Sequence, residues 1–148
     1  MNIIKNILKD GMINQSPYLK IFEALKAEGL QNYEVHFISS YKAEFNGIFR
    51  NFTAENLDGY SPIKESNHFN SNGIKNAIIK HVTERTHYLE ILQDIAANGA
   101  TLFRVDIAKR IVIYLNSDKS ASHIEYVPEY EESRENEAII EIPYYINF

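Results

Sequence analysis

The chain has 148 residues, a formal net charge of −5 and no cysteine. This length suggests one domain, and the absence of cysteine excludes disulfides, thiolate metal sites and cysteine nucleophiles. Its fifteen basic residues are scattered, which argues against nucleic-acid binding. The N-terminus lacks a secretory signal, and the apolar runs are too short for a membrane span. We therefore expect a cytoplasmic protein that binds neither nucleic acid nor membranes.

The first predicted elements are two helices. One covers residues 2–10 and ends at Gly11. The next starts with Ser16 as its N-cap and Pro17 in its first turn, where the missing N–H of proline costs nothing. Gly29 can adopt the left-handed conformation that ends this second helix.

A change to a period of two then predicts an antiparallel meander of three strands. In the first strand Val35 points inward, whereas Glu34 and His36 point outward. In the second, Lys42 and Glu44 are expected on the outward side. Asn46-Gly47 is a strong turn signal, and the third strand is predicted in "IFRNFT".

The scheme starts again after a turn-rich connector at residues 56–71. A helix resumes near Asn72, and Thr86 is the expected N-cap of the next helix, which ends at Gly99. The buried side of the first of these helices is predicted to carry Ile74, Ala77, Ile78 and Val82. Three further strands follow in "LFRVDIA", "IVIYL" and "SHIEYV".

Two windows of the chain, residues 18–47 and 88–117, resemble each other when aligned without a gap. They share seven identities at positions that a core or a helix cap requires: Tyr18/Tyr88, Leu19/Leu89, Ile21/Ile91, Ala27/Ala97, Gly29/Gly99, Val35/Val105 and Asn46/Asn116. We interpret this as an internal duplication with repeats at 16–54 and 86–128. The predicted fold class is α+β, with two tandem helix plus antiparallel β-meander units packed as one two-layer domain over residues 1–148.

The ungapped alignment predicts one difference between the repeats. It places Val112 and Tyr114 at the outward positions of Lys42 and Glu44, so that the strand "IVIYL" is apolar on both faces. Such a strand is usually covered on both sides. The cover could be the tail 129–148, an acidic linker followed by a C-terminal strand. This tail either folds back, which we favour, or adds to the sheet edge of a partner.

The segment "NGATLFRVDIAKRIVIYLNSDKSASHIEYVP" resembles the YbcV-like family of bacterial and prophage proteins of unknown function. The matching positions are Gly99, Phe103, Val105, Asp106, Tyr114, Glu125 and Pro128. The resemblance covers residues 16–128 and departs from the family at Leu115, where a second tyrosine is usual. It implies an α+β fold, a cytoplasmic location and carriage on mobile elements, and it implies no activity.

The candidate ligand-binding residues are His36, Arg104, Asp106 and Tyr114. His36 and Asp106 occupy equivalent positions of the two repeats, and a histidine beside a carboxylate can act as a general base. The alternative is that these are solvated strand residues and that Glu34 and Arg104 form an ordinary cross-strand pair. The histidines lack the spacing of a metal motif, so we assign no metal, cofactor or catalytic residue.

The leading functional hypothesis is an accessory module that binds another protein or itself, as a homodimer or complex that depends on residues 138–148. Phage or mobile-element association is implied by the family resemblance alone. The rival hypothesis is a small-ligand-binding protein or an enzyme with a site between the two repeats. The absence of a catalytic motif favours the first hypothesis.

Overall fold

A computed structural model describes residues 3–14, 18–48, 51–84 and 86–128. Within these residues, the helices are α1 (Ile3–Asn14), α2 (Tyr18–Ala27), α3 (Ser71–Glu84) and α4 (Tyr88–Ala97). The strands are β1 (Leu30–His36), β2 (Lys42–Gly47), β3 (Asn51–Ala54), β4 (Leu102–Asp106), β5 (Ile111–Leu115) and β6 (Ser122–Tyr126).

The six strands form one antiparallel sheet in the order β3-β2-β1-β4-β5-β6. Each half of the chain therefore supplies two helices and a three-stranded meander, and the first strands of the two meanders pair at the centre. The α+β class is confirmed. α1 and α3 precede the two meanders in the same way, so the succession of two helices and three strands occurs twice. The internal duplication with repeats at 16–54 and 86–128 stays a prediction.

The helices pack against one side of the sheet, which we call the inward face. Apolar residues of α2 and α4 recur at helical spacing and meet the inward side chains of the strands in one core. The largest fully buried side chains include Tyr18, Phe22, Tyr33, Phe37, Phe45, Phe103 and Tyr114. Burial of these side chains removes apolar area from water, and this burial drives the two layers together.

The two repeats are related by a pseudo-twofold axis between β1 and β4. Glu34 pairs with Arg104, and the pairs Asn32–Asp106 and His36–Leu102 flank it symmetrically. The Glu34–Arg104 pair therefore lies on the axis. Residues that correspond in the two repeats, such as His36 and Asp106, lie at opposite ends of the paired strands.

The predicted orientation of β5 is wrong. Val35 pairs with Ala43 in the first hairpin, whereas Val105 pairs with Val112 in the second, so the second hairpin is one residue shorter. This shift turns Val112 and Tyr114 inward, where both are buried. Since a shift of one residue exchanges the two faces of a strand, the outward residues of β5 are Ile111, Ile113 and Leu115.

Three element boundaries also differ from the prediction. α1 continues past Gly11 to Asn14. β2 includes Gly47, so both residues of the predicted Asn-Gly turn belong to the strand. The N-cap of α4 is His87, whose Nδ1 accepts a hydrogen bond from the backbone N–H of Leu89 at 3.1 Å.

A local hydrogen bond explains why Thr86 is not the cap. Its Oγ1 lies 3.0 Å from Nδ1 of His81 and is engaged with α3 instead. His81 is buried on α3, beside the predicted Ile74, Ala77 and Ile78, whereas Val82 is only half-buried.

Two predictions lie outside the described residues. They are the cap of α2 by Ser16 and Pro17 and the acidic linker and C-terminal strand at 129–148. The description of residues 1–148 as a single domain stays a prediction.

Candidate functional site

The outward face of the sheet, on the side away from the helices, is the candidate functional surface, and its two halves differ in chemistry. The charged half lies on β1, β2 and β4 and consists of Glu34, His36, Lys42, Glu44 and Arg104. The apolar half lies on β5 and β6 and consists of Ile111, Ile113, Leu115, Ile124 and Tyr126. Alternation along each strand places these side chains on one face.

Ion pairs connect the side chains of the charged half. Oε2 of Glu34 lies 3.2 Å from Nε2 of His36, and Oε1 of Glu34 lies 3.4 Å from Nη1 of Arg104. Lys42 lies 3.0 Å from Oε1 of Glu44, and this carboxylate raises the pKa of the lysine. The predicted cross-strand pair between Glu34 and Arg104 is present.

The same cluster contains a set of side chains that could hold a divalent metal. Glu34, His36 and Glu44 each offer one ligand atom, and these atoms lie within 4.8 Å of one another. Glu34 and Glu44 face each other directly across β1 and β2, an arrangement that repels unless it is neutralised. Arg104 and Lys42 supply that neutralisation, so the network is balanced without a cation.

The sequence-predicted candidates do not all meet. His36 and Arg104 both contact Glu34. Asp106 pairs with Asn32 at the other end of the strands, and its Oδ1 accepts a hydrogen bond from the backbone N–H of Lys109 at 2.9 Å.

Tyr114 lies on the opposite side of the sheet from the other three candidates. Its ring is buried 5.9 Å from that of Phe103, and its hydroxyl has no hydrogen-bond partner within the described part of the chain. Burial raises its pKa well above the usual value, so the phenol remains neutral. The ligand-binding role of the four residues stays a prediction.

Sequence reasoning missed Glu44 as a neighbour of this site and missed the apolar half altogether. Glu44 lies beside Glu34 because of the register between β1 and β2. Alternation of polar and apolar residues does not predict that register. The orientation of β5 was hidden because all five of its residues are apolar.

The apolar half is exposed where β6 forms the edge of the described sheet. Ile113 pairs with Ile124, and Ile111 pairs with Tyr126. Ile124 is 46% exposed and Tyr126 is 76% exposed. Contiguous apolar side chains in such positions are typical of surfaces that bind another polypeptide.

The chain leaves β6 through contacts with Arg110. The backbone N–H of Val127 donates to the carbonyl of Arg110 at 2.8 Å, and the Arg110 guanidinium donates to the carbonyls of Val127 and Pro128 at 3.1 and 2.6 Å. The same guanidinium lies 4.7 Å from the centre of the Phe22 ring and 2.6 Å from Glu23, both on α2. Val127 is buried in the core, so the chain leaves the sheet on its helix side.

Comparison with known proteins leaves the activity open. In the described part of the chain, none of the helices combines the length and apolar character that crossing a membrane requires. No curated protein matches the sequence. Residues 8–126 match the sequence model of a family described as "Protein of unknown function (DUF1398)".

Proposed function

The chain belongs to this DUF1398 family of unknown function, and from that premise we propose that it is a self-associating, protein-binding module. One observation carries the proposal. The outward face of β5 and β6 presents a continuous apolar surface, with Ile124 and Tyr126 exposed, at the edge of the described sheet. Large exposed apolar patches on soluble proteins mark sites where another polypeptide binds.

The proposed occupant is the segment 138–148 of a second copy. Its sequence, "AIIEIPYYINF", is rich in the β-branched and aromatic residues that favour strands. Pairing along the edge of β6 would satisfy its backbone, as in other cases of β-strand addition. Alternate side chains would then lie beside Ile124 and Tyr126, and Pro143 is compatible with an outermost strand.

The exit of the chain favours a second copy over the same chain. Arg110 holds Val127 and Pro128 on the helix side of the sheet, so a segment that folds back must first turn around the edge. Residues 129–137 can span at most about 30 Å. This length is also sufficient to bring the segment 138–148 to a neighbouring molecule. Reciprocal exchange between two copies would form a twofold interface and bury both apolar halves at once.

Light scattering coupled to size exclusion tests this proposal. We expect the full chain to be a dimer, and we expect both a truncation after Glu137 and the variant Ile124→Glu to be monomers. Ile48→Glu is the matched control, because Ile48 is an exposed isoleucine of the first repeat, and it should leave the dimer intact. A full-length monomer with a tail that resists proteolysis would instead indicate folding back within one chain and would overturn self-association.

One observation supports the rival function, a small-ligand site between the repeats. The linked side chains of His36, Glu34 and Arg104 lie where β1 and β4 pair, and they offer a carboxylate acceptor and a guanidinium donor. An anionic ligand would bind Arg104 in place of Glu34. If Glu34→Gln strengthens and Arg104→Gln abolishes binding of a small carboxylate in calorimetry, while the chain stays monomeric, the rival function is favoured.

We also propose that the protein is YbcV-like, is located in the cytoplasm and is associated with phages or mobile elements. This proposal is supported by the resemblance of the segment from Gly99 to Pro128. The genes that flank the coding sequence provide the test, because a mobile-element protein should lie among phage genes.

A further inference from the structure

Three polar side chains meet where α3 begins above β6. Oγ of Ser71 lies 2.6 Å from Nδ1 of His123, and Nε2 of His123 lies 3.2 Å from Oε1 of Glu125. A serine, a histidine and a carboxylate in this order resemble the arrangement by which hydrolases activate a serine. None of the three belongs to the outward face described above.

The fold fixes each member of the group. Ser71 is the first residue of α3, and Asn70 caps that helix by accepting the backbone N–H of Gly73 on its Oδ1 at 3.0 Å. His123 and Glu125 are two residues apart on β6, so both point to the inward face below α3. The His123 side chain is only 12% exposed, whereas Ser71 is exposed to solvent.

The surroundings of the imidazole decide its tautomer. When His123 is neutral, a proton on Nδ1 would leave the lone pair of Nε2 facing the Glu125 carboxylate, which is repulsive. A proton on Nε2 faces the carboxylate favourably, although the two groups are not aligned as a full hydrogen bond. Nδ1 is then the acceptor, and Ser71 donates its hydroxyl proton to it, as a serine must before it acts as a nucleophile.

A cleft lies near the start of α3, and none of the three residues is part of its lining. It has a volume of about 200 Å³ and is lined in part by Phe69 and Asn116. Phe69 lies two residues before Ser71, and Asn116 follows β5 where that strand pairs with the start of β6. In the first turn of α3, the backbone N–H of Gly73 already donates to Asn70. The N–H groups of Ser71 and Asn72 have no acceptor inside the helix, and such groups can stabilise a developing oxyanion.

We propose that Ser71 is the nucleophile of an acyl-transfer site that accepts small acyl esters. Oγ attacks the ester carbonyl carbon while its proton moves to Nδ1 of His123. The bond to the alcohol then breaks, and Nδ1 returns the proton to the departing oxygen, which leaves an acylated Ser71. Water repeats the sequence and releases the acid. Glu125 is a positioning residue that holds the imidazole through Nε2.

A fluorophosphonate probe on the full-length protein tests the proposal, with the labelled peptide identified by mass spectrometry. We expect labelling at Ser71, none in Ser71→Ala, and labelling at least about 100-fold slower in His123→Gln, the lower range for loss of general-base catalysis. Ser122→Ala is the matched control, since Ser122 is exposed on the same strand, and it should label normally. An unlabelled wild type would overturn the proposal, as would equal labelling of the Ser71→Ala variant.

A thiol variant separates catalysis from a purely structural link between α3 and β6. The chain has no cysteine, so Ser71→Cys introduces a single thiol. Beside His123, its alkylation by iodoacetamide should proceed well below the usual cysteine pKa of about 8.5. Ser66→Cys, at a half-buried residue that lines the cleft, should follow the usual pH profile. Identical profiles for the two thiols would show that His123 does not activate position 71. Neither experiment depends on self-association.

Discussion

The two repeats have the same succession of two helices and three strands, yet they present opposite chemistry on the outward face. The first repeat places Glu34 and Glu44 there, and the second places Ile113 and Ile124. Inward positions are constrained by the shared core, whereas outward positions are free to diverge. This difference between the two halves is the observation on which the proposed self-association rests.

The largest expected difference between the repeats concerns the glycines that end α2 and α4. Gly29 and Gly99 both have positive φ, at 87° and 96°. A Cβ on Gly99 would lie 2.5 Å from the backbone of His68 and Phe69, whereas a Cβ on Gly29 would meet only the flexible side chain of Ile48 at 3.3 Å. We expect Gly29→Ala to cost about 1–2 kcal/mol and Gly99→Ala to cost more than about 4 kcal/mol.

Urea unfolding of the two glycine variants gives these costs directly. Equal costs would show that the connector before α3 can move away from α4. The contrast between the two repeats at this position would then be lost.

A second contrast concerns one hydroxyl group in the core. Phe45 pairs with Tyr33 in the first repeat, and Tyr114 pairs with Phe103 at the equivalent place in the second. Because the Tyr114 hydroxyl is buried without a partner within the described residues, Tyr114→Phe should raise the free energy of unfolding by about 1 kcal/mol. Phe45→Tyr should lower it by about 1–3 kcal/mol, again measured by urea unfolding.

Loss of stability in the Tyr114→Phe variant would contradict this prediction. It would indicate that the hydroxyl has a partner such as a buried water. The reverse substitution at Phe45 controls for general tolerance of the core.

A smaller difference between the repeats is the pH dependence of stability that a histidine of α3 introduces. His81 is buried there, and burial lowers its pKa despite the opposing effects of Thr86 and Glu90, while the nearby His87 lowers it further. The equivalent position of α1 is Gly11, which cannot titrate. Because the unfolded chain binds the proton more readily, the contribution of His81 is present above the unfolded pKa of about 6.5 and is lost as the pH falls through the lower folded value.

Unfolding free energies of wild type and His81→Gln between pH 7.5 and 5 check this sign. The wild type should lose more stability than the variant as the pH falls. Parallel curves would mean that His81 stays neutral, or becomes charged, in both states alike.

The smallest expected effect lies where the repeats meet. Glu34 and Arg104 are partly exposed, so solvent screening limits their coupling energy. A double-mutant cycle with Glu34→Gln and Arg104→Gln should give about 0.2–1 kcal/mol. A coupling energy of zero would show that the pair is held by the sheet register alone.

Periodicity and caps were sufficient to predict both meanders and the α+β class. A further signal was present, because Ile4-Lys5-Asn6 and Ile74-Lys75-Asn76 have the same offset of 70 as the other matches. It places α1 and α3 at equivalent positions of the two halves, in agreement with the order of the four helices in the described chain.

Two features could not be predicted in this way. The shorter second hairpin is invisible in "IVIYL", since a strand of five apolar residues has no alternation that reveals its faces. Ser71 and His123 are 52 residues apart in sequence, and only the packing of α3 on β6 brings them together. The candidates His36 and Arg104 lie together because Arg104 pairs with Glu34, and His36 is two residues further along β1 on the same face.

The position of Glu34 opposite Arg104 has a consequence for assembly. If two first halves paired along β1, each residue on the axis would face its own copy, and Glu34 would meet a second Glu34. Two second halves would bring two guanidinium groups together, and either contact is repulsive. Only unlike halves place opposite charges at the centre of the sheet. This pair therefore disfavours assemblies in which like halves meet along their central strands, and it leaves exchange of the C-terminal segment at the β6 edge unaffected.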